Sequence, residues 1–279
     1  MTERVVKKGG RYYKKPQKEN SPILSLVPSG LDVLKKVFHQ PNGDEPSVTT
    51  ILSALAKPAL IGWAAKEERK MISALAADIY QRLYQITDEP IPPTTFIDML
   101  NDEAGKGAHR KLILKAAEVG TEVHKRIEWE FKRELKIERD ETTPTLSTPE
   151  AENAFQRWTE WRQQVKLKVI AIEKRIFSTL FGYGGTLDLL AEVNGKLSIL
   201  DFKTGKAIYR EAFLQNVAYK MAAMEEGIQL ETGWIVRLPK YPNDPDFEAV
   251  EVPNDPELAT TFLALAVVYR WWVKDKEGK

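Results

Sequence analysis

Two hydrophobic periods divide this chain. Upstream of about residue 140, apolar positions recur every three or four residues, which is the helix period. Ala59, Trp63, Met71, Leu75, Ile79 and Leu83 fall on one helical stripe that starts at Pro58 and runs to about Tyr84. Proline suits a first helical turn, where its missing N–H goes unmissed. A short helix is expected over 29–38 and another over 95–103, with a break at 87–93. A long helix follows over 108–138, supported by the i,i+4 pairs Glu122–Arg126 and Glu128–Lys132. Thr148, Pro149 and Glu150 are the start chemistry of a further helix, and its Phe155, Trp158 and Trp161 read as core. Then the period drops to two. Strands are expected over 169–178, 184–193, 196–203, 230–238 and 247–252. A helix over 211–226 interrupts them, and a last helix from Pro256 to about Lys274 carries Phe262, Val267, Trp271 and Trp272 over the sheet.

The stretch 184–203 organises the rest. Asn194-Gly195 between alternating apolar residues signals a two-residue hairpin turn. Pairing Val193 with Lys196 sets Asp188 directly opposite Asp201, about 4.5–5.5 Å away at the Cβ atoms. Lys203, two residues on, shares the face of Asp201. Leu187, Leu189 and Leu200 are expected on one face, with Leu190, Leu197 and Ile199 on the other. A hairpin apolar on both faces is a central, covered one. Like charges opposite each other destabilise a sheet, and a hard divalent cation removes that conflict. From the residues alone, a cation site and a structural charge cluster both stand.

Other residues carry chemistry under similar alternatives. His124 shares a helix face with Gly120 and Glu128, as a packing residue or a ligand. A mid-helix glycine costs about 1 kcal/mol, so Gly120 implies close approach by another backbone or by DNA. Ser47, Thr49 and Thr50 serve as helix caps or phosphate contacts. Glu173 lies inside the first strand of the sheet, either turned to the site or paired with Lys174 or Arg175. Gln215 and Tyr219 share one helix face.

Composition narrows the class. With 279 residues, 43% apolar and 29% charged, this is ordinary globular composition, and no run approaches 18 apolar residues. No membrane span, secretory signal or mitochondrial presequence is expected, and the expected location is cytoplasmic, in a bacterial or phage-infected cell. The sequence has no cysteine, which excludes disulfides and any cysteine-held iron–sulfur cluster. It has no G-x-x-x-x-G-K-[ST], so no use of ATP is expected. A net charge of +1 does not itself point to nucleic acid. Charge is local instead. Residues 1–20 hold seven Lys/Arg against two Glu, and 1–22 is expected to be a flexible basic arm, either a solubilising tail or a phosphate contact.

Five ordered segments carry a resemblance. Ser47-Val-Thr-Thr-Ile-Leu with Lys57-Pro-Ala-Leu-Ile-Gly-Trp63, Gly120-Thr-Glu-Val-His124, Gly184-Gly-Thr-Leu-Asp188, Asp201-Phe-Lys203-Thr-Gly and Gln215-Asn-Val-Ala-Tyr219 together resemble the PD-(D/E)XK nuclease superfamily. The likeness is to its RecB-like branch, which includes phage exonucleases and the mitochondrial genome maintenance exonuclease, and it covers residues 45–238. It implies an α/β fold, restriction-endonuclease-like, with an αβββαβ core, a mixed central sheet flanked by helices and a helical N-terminal elaboration. The simplest division is an arm over 1–22 and one nuclease domain over 23–279, helical over 45–140 and sheet-based over 165–279.

The resemblance also implies roles. His124, Asp188, Asp201 and the Phe202 carbonyl would hold Mg²⁺ or Mn²⁺. Lys203 would orient water or phosphate, and would act as a base where desolvation lowers its pKa. Gln215 and Tyr219 would buttress Lys203, and Glu173 would face the site or a second metal. Ser47, Thr49, Thr50 and Thr204 would contact DNA. The implied activity is a metal-dependent exonuclease on single-stranded or frayed DNA ends, in recombination, repair or replication. The alternatives are a structure-specific endonuclease and a non-catalytic DNA-binding module.

Overall fold

The computed structural model describes residues 4–7, 10–14, 38, 44–55, 58–86, 92–103, 108–137 and 142–277. They group into two compact units, Ala56–Glu118 and the remainder, Met1–Leu55 with Val119–Lys279.

The larger unit is built on a five-stranded mixed sheet of β4 (Leu167–Ser178), β5 (Tyr183–Val193), β6 (Lys196–Lys203), β7 (Thr232–Arg237) and β8 (Glu248–Glu251), side by side in that order. Neighbours are antiparallel except β6 and β7, which run parallel. A parallel pair needs a crossover, and α6 (Arg210–Glu225) supplies it. The Asn194-Gly195 turn forms as expected, both residues at positive φ, and Val193 pairs with Lys196.

Helices cover both faces. On one, α1 (Val48–Leu52), α6 and α7 (Pro256–Glu277) enclose Ile51, Ile176, Tyr183, Leu187, Leu190, Ile199, Leu214 and Phe262. On the other, the part of α4 (Ala108–Glu134) from Val119 onward and α5 (Pro149–Gln164) pack Val123, Ile127, Phe131 and Trp158 over Leu189, Leu200 and Phe202. The sequential order helix, three strands, helix, strand matches the expected α/β core.

Several expectations shift. Arg4–Lys7 (β1) and Gly10–Lys14 (β2) pair as strands with Asp44–Pro46 (β3), so the segment expected to be a flexible arm contains a hairpin backed by a third strand. Residues 15–22, and the helix expected over 29–38 apart from Phe38, lie outside the described residues. Leu187 packs with Leu190 and Ile199, not with Leu189 and Leu200. In the neighbouring strand β4, Glu173 has φ +44°. A left-handed residue interrupts strand alternation, and Glu173 lies in register with Asp188, where β5 also changes phase.

α4 ends at Glu134, four residues early. Lys136 takes a left-handed φ of 55°, and the N–H groups of Lys136 and Ile137 turn back to Arg133 O and Lys132 O. That is a Schellman stop. Glu128–Lys132 pairs at 2.6 Å as expected. Glu122 instead accepts the Ser147 N–H, and Arg126 donates to Pro144 O, which ties down the loop before α5. On α7, Phe262 is buried, but Val267, Trp271 and Trp272 are exposed; Phe262, Ala266 and Tyr269 make the core-facing stripe.

The smaller unit contains α2 (Pro58–Ile86) and α3 (Pro93–Glu103). Ile79 is its one fully buried large side chain among the described residues, and it lies on the predicted stripe.

Candidate active site

The β5–β6 ladder pairs residues from Val193↔Lys196 to Leu189↔Leu200 and stops there. The next position holds Asp188 and Asp201. Asp188 Oδ2 accepts the Phe202 N–H at 2.9 Å, so a carboxylate stands where a strand carbonyl would continue the ladder. β6 goes on alone against β7 as far as Lys203↔Arg237. The sheet therefore opens at the point where the two acids meet.

The opening draws on both helical layers. From α4, His124 Nε2 donates to Phe202 O at 3.0 Å, and its Nδ1 lies 3.7 Å from Asp188 Oδ2. Gly120, one turn earlier, permits this approach. A Cβ there would sit 3.0 Å from Thr204 Oγ1, so the glycine brings α4 against the residue after Lys203. From α6, Gln215 Oε1 accepts from Lys203 Nζ at 3.0 Å, while its Nε2 contacts Asp201 Oδ1 at 3.2 Å and Tyr219 Oη at 3.1 Å. Tyr219 can sit there only because Gly185 faces it. A Cβ on Gly185 would overlap Cε1 of the tyrosine ring.

Lys203 Nζ lies 2.9 Å and 2.7 Å from the two oxygens of Asp201. The Asp201 side chain is 3% exposed and that of Lys203 31%. Burial, with a smaller push from the Asp188 charge, outweighs the pull of Lys203 and raises the Asp201 carboxyl to about 6. Burial also acts to lower Lys203, but the charges of Asp201 and Asp188 outweigh it, and the ammonium is held above its ordinary value. The direction is upward, opposite to the lowering on which a role as base was conditioned. Glu211, on the first turn of α6, adds to this stabilisation.

Two features fit a hard cation. Asp201 Oδ2 is buried and makes no hydrogen bond, although it touches the ammonium. His124 donates from Nε2 to Phe202 O and sets Nδ1 3.7 Å from Asp188 Oδ2, so imidazole, carboxylate and carbonyl lie together. One imidazole, two carboxylates and a carbonyl are a donor set for Mg²⁺ or Mn²⁺. As they stand, no three His, Cys, Asp or Glu among the described residues are gathered about one point. His124 and Asp188 are instead turned to the two ends of the Phe202 peptide unit.

The remaining candidates separate. Glu173 shares the register row of Asp188 but is exposed, and Lys174, a possible partner for it, pairs with Glu226 at 3.0 Å. Ser47 caps α1 by accepting the Thr50 N–H at 3.0 Å, and its hydroxyl bonds that of Thr50 at 2.7 Å; both are buried. Ser47 Oγ also bonds the Thr49 hydroxyl at 3.0 Å, and Thr49 and Thr204 stay half-exposed. A parallel bridge from Ser47 to Gly184 fixes α1 beside the start of β5.

Sequence reading misses two residues near the site. Gly185 has no role there, although a glycine pair inside a strand already signals close approach. Arg237, in register with Lys203, is fully buried and bonds Glu248 Oε2, Pro245 O and Asp246 O. Nothing in its apolar strand sequence distinguishes it.

No protein-family model matches the chain, and no curated protein matches it. Several solved structures are similar, and two of them are as follows. The crystal structure of LHK-Exo in complex with dAMP is 11% identical, with 52% of this chain and 75% of that one covered at a TM-score of 0.32. The crystal structure of SSO0001 is 14% identical, with 55% and 74% covered at a TM-score of 0.28.

Proposed function

We propose that this protein is a divalent-metal-dependent nuclease that hydrolyses DNA phosphodiester bonds. The observation that carries the reading is the clamped triad Asp201–Lys203–Gln215 set beside His124 and Asp188 on either end of the Phe202 peptide unit. A buried acid, an acid opposite it and a lysine held by a glutamine form an expensive arrangement in a sheet that needs only stability.

In this reading His124, Asp188, Asp201 and the Phe202 carbonyl hold Mg²⁺ or Mn²⁺, and the imidazole favours Mn²⁺ more than an all-oxygen set would. Such an ion lowers the pKa of bound water and offsets the charge that develops on phosphate. Lys203 stays an ammonium and presents its charge to a phosphate oxygen or the attacking water. Gln215 fixes the direction of that ammonium, and Tyr219 fixes Gln215. In the same reading Thr49 and Thr204 would contact the DNA backbone. Exonuclease action on single-stranded or frayed ends is the finer part of the reading, and its support is the five-segment resemblance.

The test is a gel assay on end-labelled single-stranded DNA and on a circular single strand, with Mg²⁺ or Mn²⁺. The expected result is a ladder from the linear substrate only, abolished by EDTA and by Asp201→Asn, and slowed at least ~10²-fold by Lys203→Ala. Cleaved circles would replace the exonuclease with an endonuclease. Activity that survives both substitutions would remove the site from the mechanism. DNA binding without cleavage under either metal would leave a binding module.

A further inference from the structure

Helix α2 carries a surface pattern that the candidate active site does not use. Lys66, Arg69, Lys70, Ser73, Tyr80 and Tyr84 are all exposed or half-exposed. Their spacing, i, i+3, i+4, i+7, i+14 and i+18, sets them on one face of a helix, within about 60° of a single line. The first four line one open recess. The two tyrosines, one turn apart, stand parallel, with ring centroids 6.4 Å apart and planes at 17°. Tyr80 is 61% exposed and Tyr84 74%, which is unusual for large rings with no core role.

Charge is sorted around the same helix. Its three acids, Glu67, Glu68 and Asp78, lie a quarter turn or more off this line. Asp78 pairs with Arg82 at 3.0 Å, also off the line, and Glu67 reaches across only to Lys70, at 2.8 Å. Among the described residues, Lys66 and Arg69 have no ion-pair partner. The stripe is therefore cationic over its first half and aromatic over its second, along roughly 27 Å.

We infer that this face of α2 binds single-stranded DNA, with Lys66, Arg69 and Lys70 along the phosphates and Tyr80 and Tyr84 stacked on bases. A row of cations followed by exposed aromatic faces is what an unpaired strand requires: charge for the backbone and rings for bases that have no partner. A duplex keeps its bases stacked internally and offers the tyrosines nothing. An acidic protein would use the cations and leave the tyrosines unexplained. The choice of DNA over RNA rests on the nuclease reading above.

The experiment is fluorescence anisotropy of labelled dT20 in EDTA, where no cleavage occurs, across a salt series, with the full-length protein. Lys66→Gln/Arg69→Gln/Lys70→Gln is expected to weaken binding at least ~10-fold and to reduce the slope of log K against log salt by about 2, at roughly 0.7 for each phosphate no longer neutralised. Tyr80→Ala/Tyr84→Ala is expected to weaken binding ~10-fold or more with the slope unchanged. Arg82→Gln, off the stripe, is the control and leaves both alone. All these side chains are on the surface, and an unchanged melting temperature verifies the fold. Wild-type affinity and slope in both stripe variants would overturn the inference while leaving the nuclease reading intact. A preference for U20 over dT20 would overturn the DNA assignment. Stripe-dependent binding by a protein that cleaves nothing would sink the nuclease reading and keep this one.

Discussion

Gly185 shows how a missing side chain can position a catalytic group. Tyr219 occupies the space a Cβ would need there, and from that position its hydroxyl meets Gln215, which in turn clamps Lys203. Gly185→Ala must displace the ring. Overpacking of this kind costs about 1–3 kcal/mol, so the melting temperature is expected to fall and cleavage to fall with it. Removing the ring as well relieves the overlap but empties a buried site, at about 3–5 kcal/mol, so the double variant should stay destabilised and inactive. Gly185→Ala/Tyr219→Ala measured by thermal melt and gel assay checks both halves, and a fully active Gly185→Ala would contradict the role given to Tyr219.

At the scale of elements, α4 and β6 meet through Gly120 and Thr204. Alanine in place of a mid-helix glycine is worth about 1 kcal/mol, but here its Cβ would press on Thr204 Oγ1 at 3.0 Å. The two effects oppose each other, so Gly120→Ala alone should change stability little. In a Thr204→Ala background the crowding is gone, and the same substitution should stabilise by up to about 1 kcal/mol. A double-mutant cycle in urea measures that coupling, and strict additivity would mean that the helix does not press on the strand end.

Across the whole molecule, another buried acid, Glu225, sits at the C-terminal end of α6. Glu225 accepts from Ser178 Oγ at 2.6 Å, from Thr179 Oγ1 at 3.3 Å and from the Leu180 N–H at 3.0 Å, binding α6 to the turn between β4 and β5. Burial raises its carboxyl above the ordinary 4.5, and the three donors only partly offset that. The unfolded carboxyl therefore ionises first as pH rises, and the folded chain holds the extra proton in between. Stability from this group is complete below pH 4.5 and is lost as pH climbs through the raised folded value. Urea melts across that window should show a falling midpoint, with the slope flattened in Glu225→Gln. An unchanged slope in the variant would assign the pH dependence to other groups.

Much was legible because local physics set it. The Asn-Gly turn fixes the register of β5 and β6, and with it the meeting of Asp188 and Asp201. Two-residue periodicity places Lys203 beside Asp201. The Thr148-Pro149 start and the stripe through Ile79 needed only neighbours in sequence. What the chain order could not carry was decided by contacts between distant segments. The phase change of β5 between Leu187 and Leu189 puts them in different cores, and alternation alone cannot foresee it. Lys203 remains an ammonium because two acids surround it, a sum of charges that exists only once β5 and β6 are paired. Thr50 is a candidate for phosphate on sequence alone, and burial against Ser47 gives its hydroxyl to a helix cap. The sequence determined which groups meet on the hairpin. Tertiary packing decided which of them are buried, which stay charged and which still have a lone pair to offer.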